Sequence, residues 1–344
     1  MLALVKRSNE MNDADVMEVP VPTVGAGEVL IKVRYAGICG TDLHILANEF
    51  PHKVPVTLGH EYSGEIAALG PEVAGFKIGD RVVAEPNVGV CGTCFLCRGG
   101  NYHVCSKKRA PGSGQDGAFA EFVKVPAVVL HKIPESVSFR EAALTEPAAV
   151  AAHAVYCRVG VKPGDLVVVM GPGPIGLLCA QLAIIAGAKV LIAGRGSDER
   201  RLQVAEAMGA VAINIEEADL QSAVSQLSRR GGADVVIEAS GSAGAINEAI
   251  KIVRTCGRMG IVGIPTAGLL NINWSQYVYK SVDVYFAYSS NSDDWERVLF
   301  LMDRRKLCLD LLISHEFPLS DWKTAFELAR SGKGIKILLS PVGS

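Results

Sequence analysis

The chain has 344 residues, of which 49% are hydrophobic and 20% are charged, and its formal net charge at pH 7 is −2. This composition is that of a globular protein, and the length predicts two domains. The small net charge argues against a nucleic-acid binder, including one built on a zinc ribbon. No apolar run reaches the roughly 20 residues of a membrane span, and the N-terminus lacks the layout of a signal peptide. We therefore expect a reduced, cytoplasmic protein.

The first domain, expected over residues 1–149, is predicted to be rich in β-structure. Short runs that favour strands alternate there with glycine and proline turns, which is typical of a barrel-like unit with long loops. These runs are Val29–Tyr35, Glu65–Ala68, Asp80–Ala84 and Ala118–Val125.

Four cysteines in this domain form the most specific metal pattern of the chain. They follow the spacing C-x2-C-x2-C-x7-C and are Cys91, Cys94, Cys97 and Cys105. Four thiolates complete the coordination of a tetrahedral zinc ion and leave no open position. We predict a structural zinc in a lobe spanning about residues 88–110.

A second metal site with an open position is predicted from residues that are further apart. Cys39, His60 and a carboxylate from Glu61 or Glu146 would supply three ligands, as a catalytic zinc requires. Each signal is weak by itself, because a single cysteine is usually a small buried packing residue.

The second domain, expected over residues 150–288, alternates strands with helices and predicts a doubly wound parallel sheet. The predicted strands are Leu166–Met170, Lys189–Ala193, Asp234–Glu238 and Arg258–Val262. The predicted helices are Pro174–Ala186, Asp198–Met208 and Ala243–Val253. Residues 289–344 show both helical and strand patterns. Helices are predicted at Trp295–Met302 and Trp322–Ala329, and a strand is predicted at Ile335–Leu339, which we expect to rejoin the first domain.

A glycine-rich turn follows the strand Leu166–Met170 and opens a helix. Its residues are Gly171, Gly173, Pro174, Ile175 and Gly176. In this context the G-x-G-x-x-G spacing allows a tight turn, close approach to a pyrophosphate and tight helix packing. It predicts a dinucleotide site, and the alternative is a glycine-rich turn that binds nothing.

The end of the next strand indicates which dinucleotide is bound. An acidic residue usually accepts the ribose 2′-hydroxyl there, but this strand ends at Gly194 and is followed by Arg195. The guanidinium could pair with a 2′-phosphate, helped by Arg200 or Arg201. We predict a preference for NADP(H). The alternative is a solvated arginine with NAD held by other contacts.

Together these motifs resemble those of one family. Residues 37–44 read GICGTDLH, residues 59–66 read GHEYSGEI, residues 146–154 read EPAAVAAHA and residues 171–176 read GPGPIG. In this order, with the four-cysteine lobe, the chain resembles a zinc-dependent medium-chain dehydrogenase/reductase near the sorbitol (polyol) and threonine dehydrogenase branch. The resemblance covers nearly the whole chain. It implies an α/β protein with a GroES-like β-rich catalytic domain and a Rossmann domain.

The resemblance also implies two zinc ions in each chain. Cys39, His60 and either Glu61 or Glu146 would bind the catalytic zinc, and which glutamate does so directly is left open. Asp42 would be the carboxylate that orients His60.

The implied reaction interconverts a polyol or another secondary alcohol and its ketone. A zinc alkoxide would release hydride to the nicotinamide, while Thr41 takes the hydroxyl proton and His44 passes it to solvent. The alternatives are oxidation of L-threonine at its β-hydroxyl and a non-catalytic nucleotide-binding protein. The partner implied is a small alcohol or ketone, with neither nucleic acid nor membrane.

Two departures from the family affect the substrate pocket. Ile45 follows His44, as in the threonine branch, where polyol dehydrogenases have tyrosine. The segment 284–290 lacks the arginine expected of the polyol branch, and it also lacks the Gly-Arg-containing segment expected of the threonine branch. The pocket therefore matches neither branch closely. Relatives pair their nucleotide domains edge to edge near Val282–Tyr288, so we expect a homodimer or a homotetramer.

The remaining cysteines and several histidines carry no motif. Cys157, Cys179, Cys256 and Cys308 are expected to be apolar packing residues. His52, His131 and His315 are expected on the surface or in loops.

Overall fold

A computed structural model of the chain describes residues 1–265 and 269–341. It divides into two compact units, one formed by Met1–Glu146 with Asn291–Ser344 and the other by Pro147–Ser290. These boundaries differ by a few residues from the expected ones. Within the described residues, no helix combines the length and the apolar character needed to cross a bilayer.

The first unit contains ten strands among the residues that the structure describes. In chain order they are β1 (Leu2–Lys6), β2 (Ala14–Glu18), β3 (Glu28–Gly37), β4 (Val56–Thr57), β5 (Glu61–Leu69), β6 (Arg81–Ala84), β7 (Phe122–Pro126), β8 (Leu130–Lys132) and, after the six strands of the second unit, β15 (Ile313–Pro318) and β16 (Lys336–Ser340). Seven of them form a sheet of order β15-β16-β3-β5-β6-β8, in which β7 also pairs with β3, and a smaller sheet has the order β2-β1-β4.

Short helices lie in the long connections of this unit. They are α1 (Gly40–Leu46), α2 (Phe95–Arg98), α3 (Phe139–Ala142), α10 (Ser292–Asp303) and α11 (Trp322–Arg330). Helix α4 (Thr145–Ala152) begins at the end of the unit and is continued by six residues of π-helix, His153–Arg158.

The C-terminal segment supplies part of the core of the first unit. In α11, the spacing of Trp322, Ala325 and Phe326 places three apolar side chains on one buried face. Phe326 meets Phe119 edge to face, with ring centroids 5.9 Å apart. Phe119 is fully buried, and burying a side chain of this size stabilises the fold by about 1.5–3 kcal/mol.

The second unit is the doubly wound domain predicted from the sequence. Its six strands have the order β11-β10-β9-β12-β13-β14, and every pair is parallel. The strands are β9 (Leu166–Met170), β10 (Lys189–Gly194), β11 (Val211–Asn214), β12 (Ala233–Glu238), β13 (Val253–Ile261) and β14 (Asp283–Phe286). The helices are α5 (Pro174–Ile185), α6 (Glu199–Ala207), α7 (Leu220–Leu227), α8 (Ala243–Ile252) and α9 (Trp274–Tyr279).

The burial of the central strands explains this architecture. Every residue of β9 and β12 is buried, as expected for parallel strands covered by helices on both faces. The predicted strands and helices of this domain are confirmed to within one residue at each end, except that the strand predicted at Arg258–Val262 already begins at Val253. In the first unit, the strand predicted at Ala118–Val125 begins only at Phe122, because Ala118 and Phe119 instead donate to the carbonyls of Gly59 and Leu58.

Two expectations about isolated residues are wrong. Of the four cysteines expected to pack in apolar surroundings, Cys157, Cys256 and Cys308 are exposed and Cys179 is buried. His131 is a buried residue of β8 rather than a surface residue. Its Nε2 lies 3.1 Å from Glu85 and its Nδ1 lies 2.5 Å from Glu296. Burial opposes the charged imidazole, but the two carboxylates raise the pKa of His131 above its usual value.

Candidate functional site

Three of the predicted ligands lie together in the first unit. Cys39 immediately precedes α1, His60 immediately precedes β5, and Glu61 is the first residue of that strand. One ligand atom of each lies within 4.8 Å of the others. Gly59 has φ +95°, and a Cβ there would lie 2.7 Å from the Phe119 ring, so glycine is needed to form this turn.

Asp42 faces the histidine. Its Oδ1 lies 3.5 Å from His60 Nδ1, and its Oδ2 accepts a hydrogen bond from the Cys39 N–H at 2.9 Å. Burial disfavours an imidazolium, but Asp42 and Cys39 raise the pKa of His60 well above its usual value. With Nδ1 facing Asp42, Nε2 is the nitrogen left for a metal ion, which would replace the proton there.

Glu61 is held by a buried lysine that the motifs did not indicate. Lys336, from β16, places Nζ 2.5 Å from Glu61 Oε2, and it also donates to the Ile38 carbonyl at 3.0 Å. Burial opposes the ammonium, but Glu61 and Cys39 raise the pKa of Lys336 above its usual value. A Cβ at Gly37 would lie 2.4 Å from Glu61 Oε2, so this glycine leaves room for the carboxylate.

The second oxygen of Glu61 supports a metal at this position. Oε1 is buried and accepts no hydrogen bond from the residues that the structure describes. Burying a carboxylate oxygen without a hydrogen-bond donor costs free energy, unless a cation or a water molecule interacts with that oxygen instead. A thiolate, an imidazole and a carboxylate form a donor set that suits zinc and leaves a fourth position open.

Glu146 lies outside this group of three ligands. It is the second residue of α4 and is buried. Burial is the largest cause that raises the pKa of Glu146 to about 7, with Glu61 reinforcing it and His60, Lys336 and Lys108 opposing it. The geometry thus brings Cys39, His60 and Glu61 together and leaves Glu146 beside them.

The predicted proton relay lies on α1. Thr41 Oγ1 is 3.7 Å from Cys39 Sγ, and His44 follows one turn later on the same helix face. Nδ1 of His44 lies 2.7 Å from Glu49 Oε2, and about a third of the imidazole is exposed. Thr41 is therefore next to the metal ligands, and His44 reaches solvent.

The four-cysteine lobe is already arranged for a metal. The Sγ–Sγ distances are 3.9 Å for Cys91–Cys97, 4.0 Å for Cys94–Cys105 and 3.7 Å for Cys91–Cys105. They approach the separation of about 3.8 Å in a tetrahedral zinc site with Zn–S bonds of about 2.3 Å. None of the four is in a disulfide. The N–H groups of Thr93 and Cys94 lower the pKa of Cys91 to about 6, which favours the thiolate.

The glycine-rich turn has the geometry that its sequence predicted. Gly171 has φ +100°. A Cβ at Gly176 would lie 1.9 Å from the Gly171 carbonyl oxygen, so no side chain fits there. Gly173 caps α5, and Pro174 and Ile175 are its first two residues. The first turn of this helix leaves N–H groups available for a phosphate.

A cavity of about 640 Å³ lies beside this turn. Its lining includes Gly171, Gly194, Arg195, Asp198, Asp219 and Ser240. Arg195 thus lines this cavity, whereas Arg200 is exposed on α6 and is not part of the lining. Arg201 instead pairs with Asp198 at 3.1 Å.

Comparison with known proteins identifies the family. Residues 25–135 match the family model of the alcohol dehydrogenase GroES-like domain, and residues 174–304 match that of the zinc-binding dehydrogenases. A sorbitol dehydrogenase of Halalkalibacterium halodurans is 41% identical over 343 residues, which are 99% of this chain and 100% of that protein. The chain belongs to the zinc-dependent medium-chain dehydrogenase/reductase family. It is therefore an enzyme, a zinc-containing dehydrogenase that uses a nicotinamide dinucleotide.

Two further proteins resemble this medium-chain dehydrogenase over nearly its whole length. An L-threonine 3-dehydrogenase of Yersinia pestis is 36% identical over 94% of this chain and 95% of that protein. A zinc-binding dehydrogenase of Sinorhizobium meliloti, solved with NADP bound, has a TM-score of 0.91 at 31% identity, with 99% of each chain covered. The predicted pairing of a GroES-like domain with a Rossmann domain is confirmed.

Two residues of the site escaped the sequence analysis. Lys336 could have been recognised, because a lysine within the apolar run Ile335–Leu339 must either face solvent or have a buried partner. Glu49 could not have been recognised from the sequence, because acidic residues in loops are common and its contact with His44 depends on where α1 ends.

Proposed function

We propose that this dehydrogenase interconverts a polyol or another secondary alcohol and the corresponding ketone, with NADP(H) preferred to NAD(H). The observation that carries the proposal is the convergence of Cys39, His60 and Glu61, with a buried unpaired oxygen, next to Thr41 on α1. Zinc held by these three residues would act as a Lewis acid that makes the bound hydroxyl more acidic.

The side chains of α1 would then handle the proton. The Thr41 hydroxyl would accept the proton of the substrate hydroxyl, and His44, with about a third of its imidazole exposed, would pass it on to water. Glu49, 2.7 Å from Nδ1, would stabilise the imidazolium during this transfer. A bound nicotinamide would supply the hydride acceptor, so that oxidation would yield a ketone, a reduced dinucleotide and a proton.

We also propose two zinc ions in each chain, with Glu61 as the direct third ligand at the catalytic site. The grouping of Glu61 with Cys39 and His60 supports this choice over Glu146. Glu146 would act from beside the metal, through water. Metal analysis of the purified protein should give two zinc ions per chain, and a single ion would mean that the catalytic site is empty.

The preference for NADP(H) rests on Arg195, which lines the cavity at the end of β10. In the variant Arg195→Asp, we expect NADP(H) affinity to fall much more than NAD(H) affinity, because the guanidinium pairs with a 2′-phosphate. Equal losses for both dinucleotides would refute this assignment.

A homodimer formed through β14 is the oligomer we propose, with a homotetramer as the further possibility. This strand is the last in its sheet, and an edge strand can pair with a second copy. Exposed apolar side chains accompany it, among them Phe286, Trp274, Val278 and Tyr279. Light scattering would measure the assembly, and a monomer at micromolar concentration would contradict it.

A substrate screen followed at the nicotinamide absorbance band tests the reaction itself. Polyols, their ketones and L-threonine would be offered with NADP and NAD side by side, before and after zinc chelation. We expect chelator-sensitive turnover of a polyol that is faster with NADP. L-Threonine is the second candidate substrate because of the Yersinia pestis relative. Turnover of threonine with NAD alone would refute both the polyol substrate and the NADP(H) preference.

A further inference from the structure

The corner that follows β10 holds a carboxylate as well as Arg195. Glu216, two residues beyond β11, accepts a hydrogen bond from the Gly196 N–H at 3.1 Å. The contact is close, since a Cβ at Gly196 would lie 3.0 Å from Glu216 Oε2. The backbone of Glu216 is itself fixed, because its N–H donates to Asn214 Oδ1 at 3.1 Å.

In this corner one carboxylate has a cationic partner and the other has none among the residues that the structure describes. The Arg195 N–H donates to Asp198 Oδ2 at 3.2 Å, and the other oxygen of Asp198 pairs with Arg201. Glu216, by contrast, has no cation within ion-pairing distance among residues 1–265 and 269–341. It is also exposed to solvent. One uncompensated negative charge therefore adjoins the backbone next to Arg195.

We propose that Glu216 is a second determinant of cofactor choice, which disfavours a 2′-phosphate and so limits the NADP(H) preference set by Arg195. The inference rests on the proposed function, in which Arg195 takes that phosphate. A 2′-phosphate carries a charge of about −1.5 to −2 at pH 7, whereas the 2′-hydroxyl of NAD(H) is neutral. Glu216 also accepts the hydrogen bond from the Gly196 N–H, and a phosphate oxygen could otherwise accept that bond.

The size of the effect follows from Coulomb's law. For a carboxylate and a doubly charged phosphate roughly 7 Å apart in water, removing the carboxylate should tighten binding about fivefold at about 10 mM ionic strength. Screening should reduce this to about twofold at 0.15 M. NADH binding should change little at either salt concentration.

Fluorescence titration of the zinc-loaded enzyme with NADPH and NADH tests this inference. Glu216→Gln removes the charge but keeps an acceptor for the Gly196 N–H, and Glu217→Gln is the matched control because Glu217 is exposed in the same loop. We expect a lower Kd for NADPH in E216Q only, and a smaller gain at higher salt. An unchanged Kd for NADPH in E216Q, or the same gain in E217Q, would overturn the inference.

The variant Arg195→Gln separates this inference from the proposed function. If R195Q loses NADPH affinity while E216Q gains none, the role of Glu216 is wrong and that of Arg195 stands. If R195Q binds NADPH as the wild type does, the proposed basis of the NADP(H) preference is wrong. A gain in E216Q would then still support the electrostatic role of Glu216.

Discussion

The buried pair Lys336–Glu61 makes a prediction that couples stability to metal content. The side chains are 3% and 1% exposed, so water cannot replace either partner. Lys336→Met would leave the Glu61 carboxylate buried without its cation. Breaking a buried pair in this way costs about 3–5 kcal/mol. We expect the free energy of unfolding of the metal-depleted protein to fall by that amount.

Zinc should rescue much of this loss, because the metal supplies the missing positive charge to Glu61. If about 2 kcal/mol is recovered on loading, linkage requires the variant to bind catalytic zinc about 30-fold more tightly than the wild type does. Urea unfolding with and without zinc measures the first quantity, and competition with a chelator measures the second.

Two variants control for other effects of this substitution. Lys333→Met removes an exposed lysine from the same segment and should change stability by less than about 0.5 kcal/mol. The double variant E61Q/K336M removes both charges and should be more stable than K336M without metal. Equal destabilisation of K336M with and without zinc, or no greater loss than in K333M, would refute the reasoning.

Three further predictions concern other parts of the molecule. Cys94→Ser should lower the zinc content from two ions to one and lower the melting temperature, as metal analysis and calorimetry would show; unchanged zinc content would contradict a four-thiolate site. His131 has a raised pKa in the folded state, so its stabilising contribution is full below about pH 6.5 and is lost as the pH rises through the folded value. The stability difference between wild type and H131Q should therefore shrink with rising pH, and a constant difference in pH-dependent urea unfolding would count against it. Gly176→Ala places a Cβ 1.9 Å from the Gly171 carbonyl oxygen, so calorimetric titration should show loss of dinucleotide binding with zinc content retained.

The parts of the fold that were predictable are those specified by local chemistry. Strand β9 and the turn at Gly171 follow from a short apolar run and glycine spacing, and the zinc lobe follows from four cysteines within fifteen residues. The contacts of His131 were not predictable, because Glu296 lies 165 residues further along the chain. Cys157 and Cys256 proved exposed, because hydrophobic neighbours in sequence do not determine which face of a helix or strand a residue occupies, and the exposed Cys308 lies in the loop after α10.

The position of β16 also determines the order in which the two metal sites can be completed during synthesis. The Ile38 carbonyl and Lys336 Nζ are 298 residues apart in sequence, and β16 pairs with β3 through Leu338 and Gly37. The Cys39–His60–Glu61 group therefore acquires its lysine only after the chain has been synthesised as far as Lys336. The cysteine lobe closes within a short loop, so it can capture zinc while translation continues.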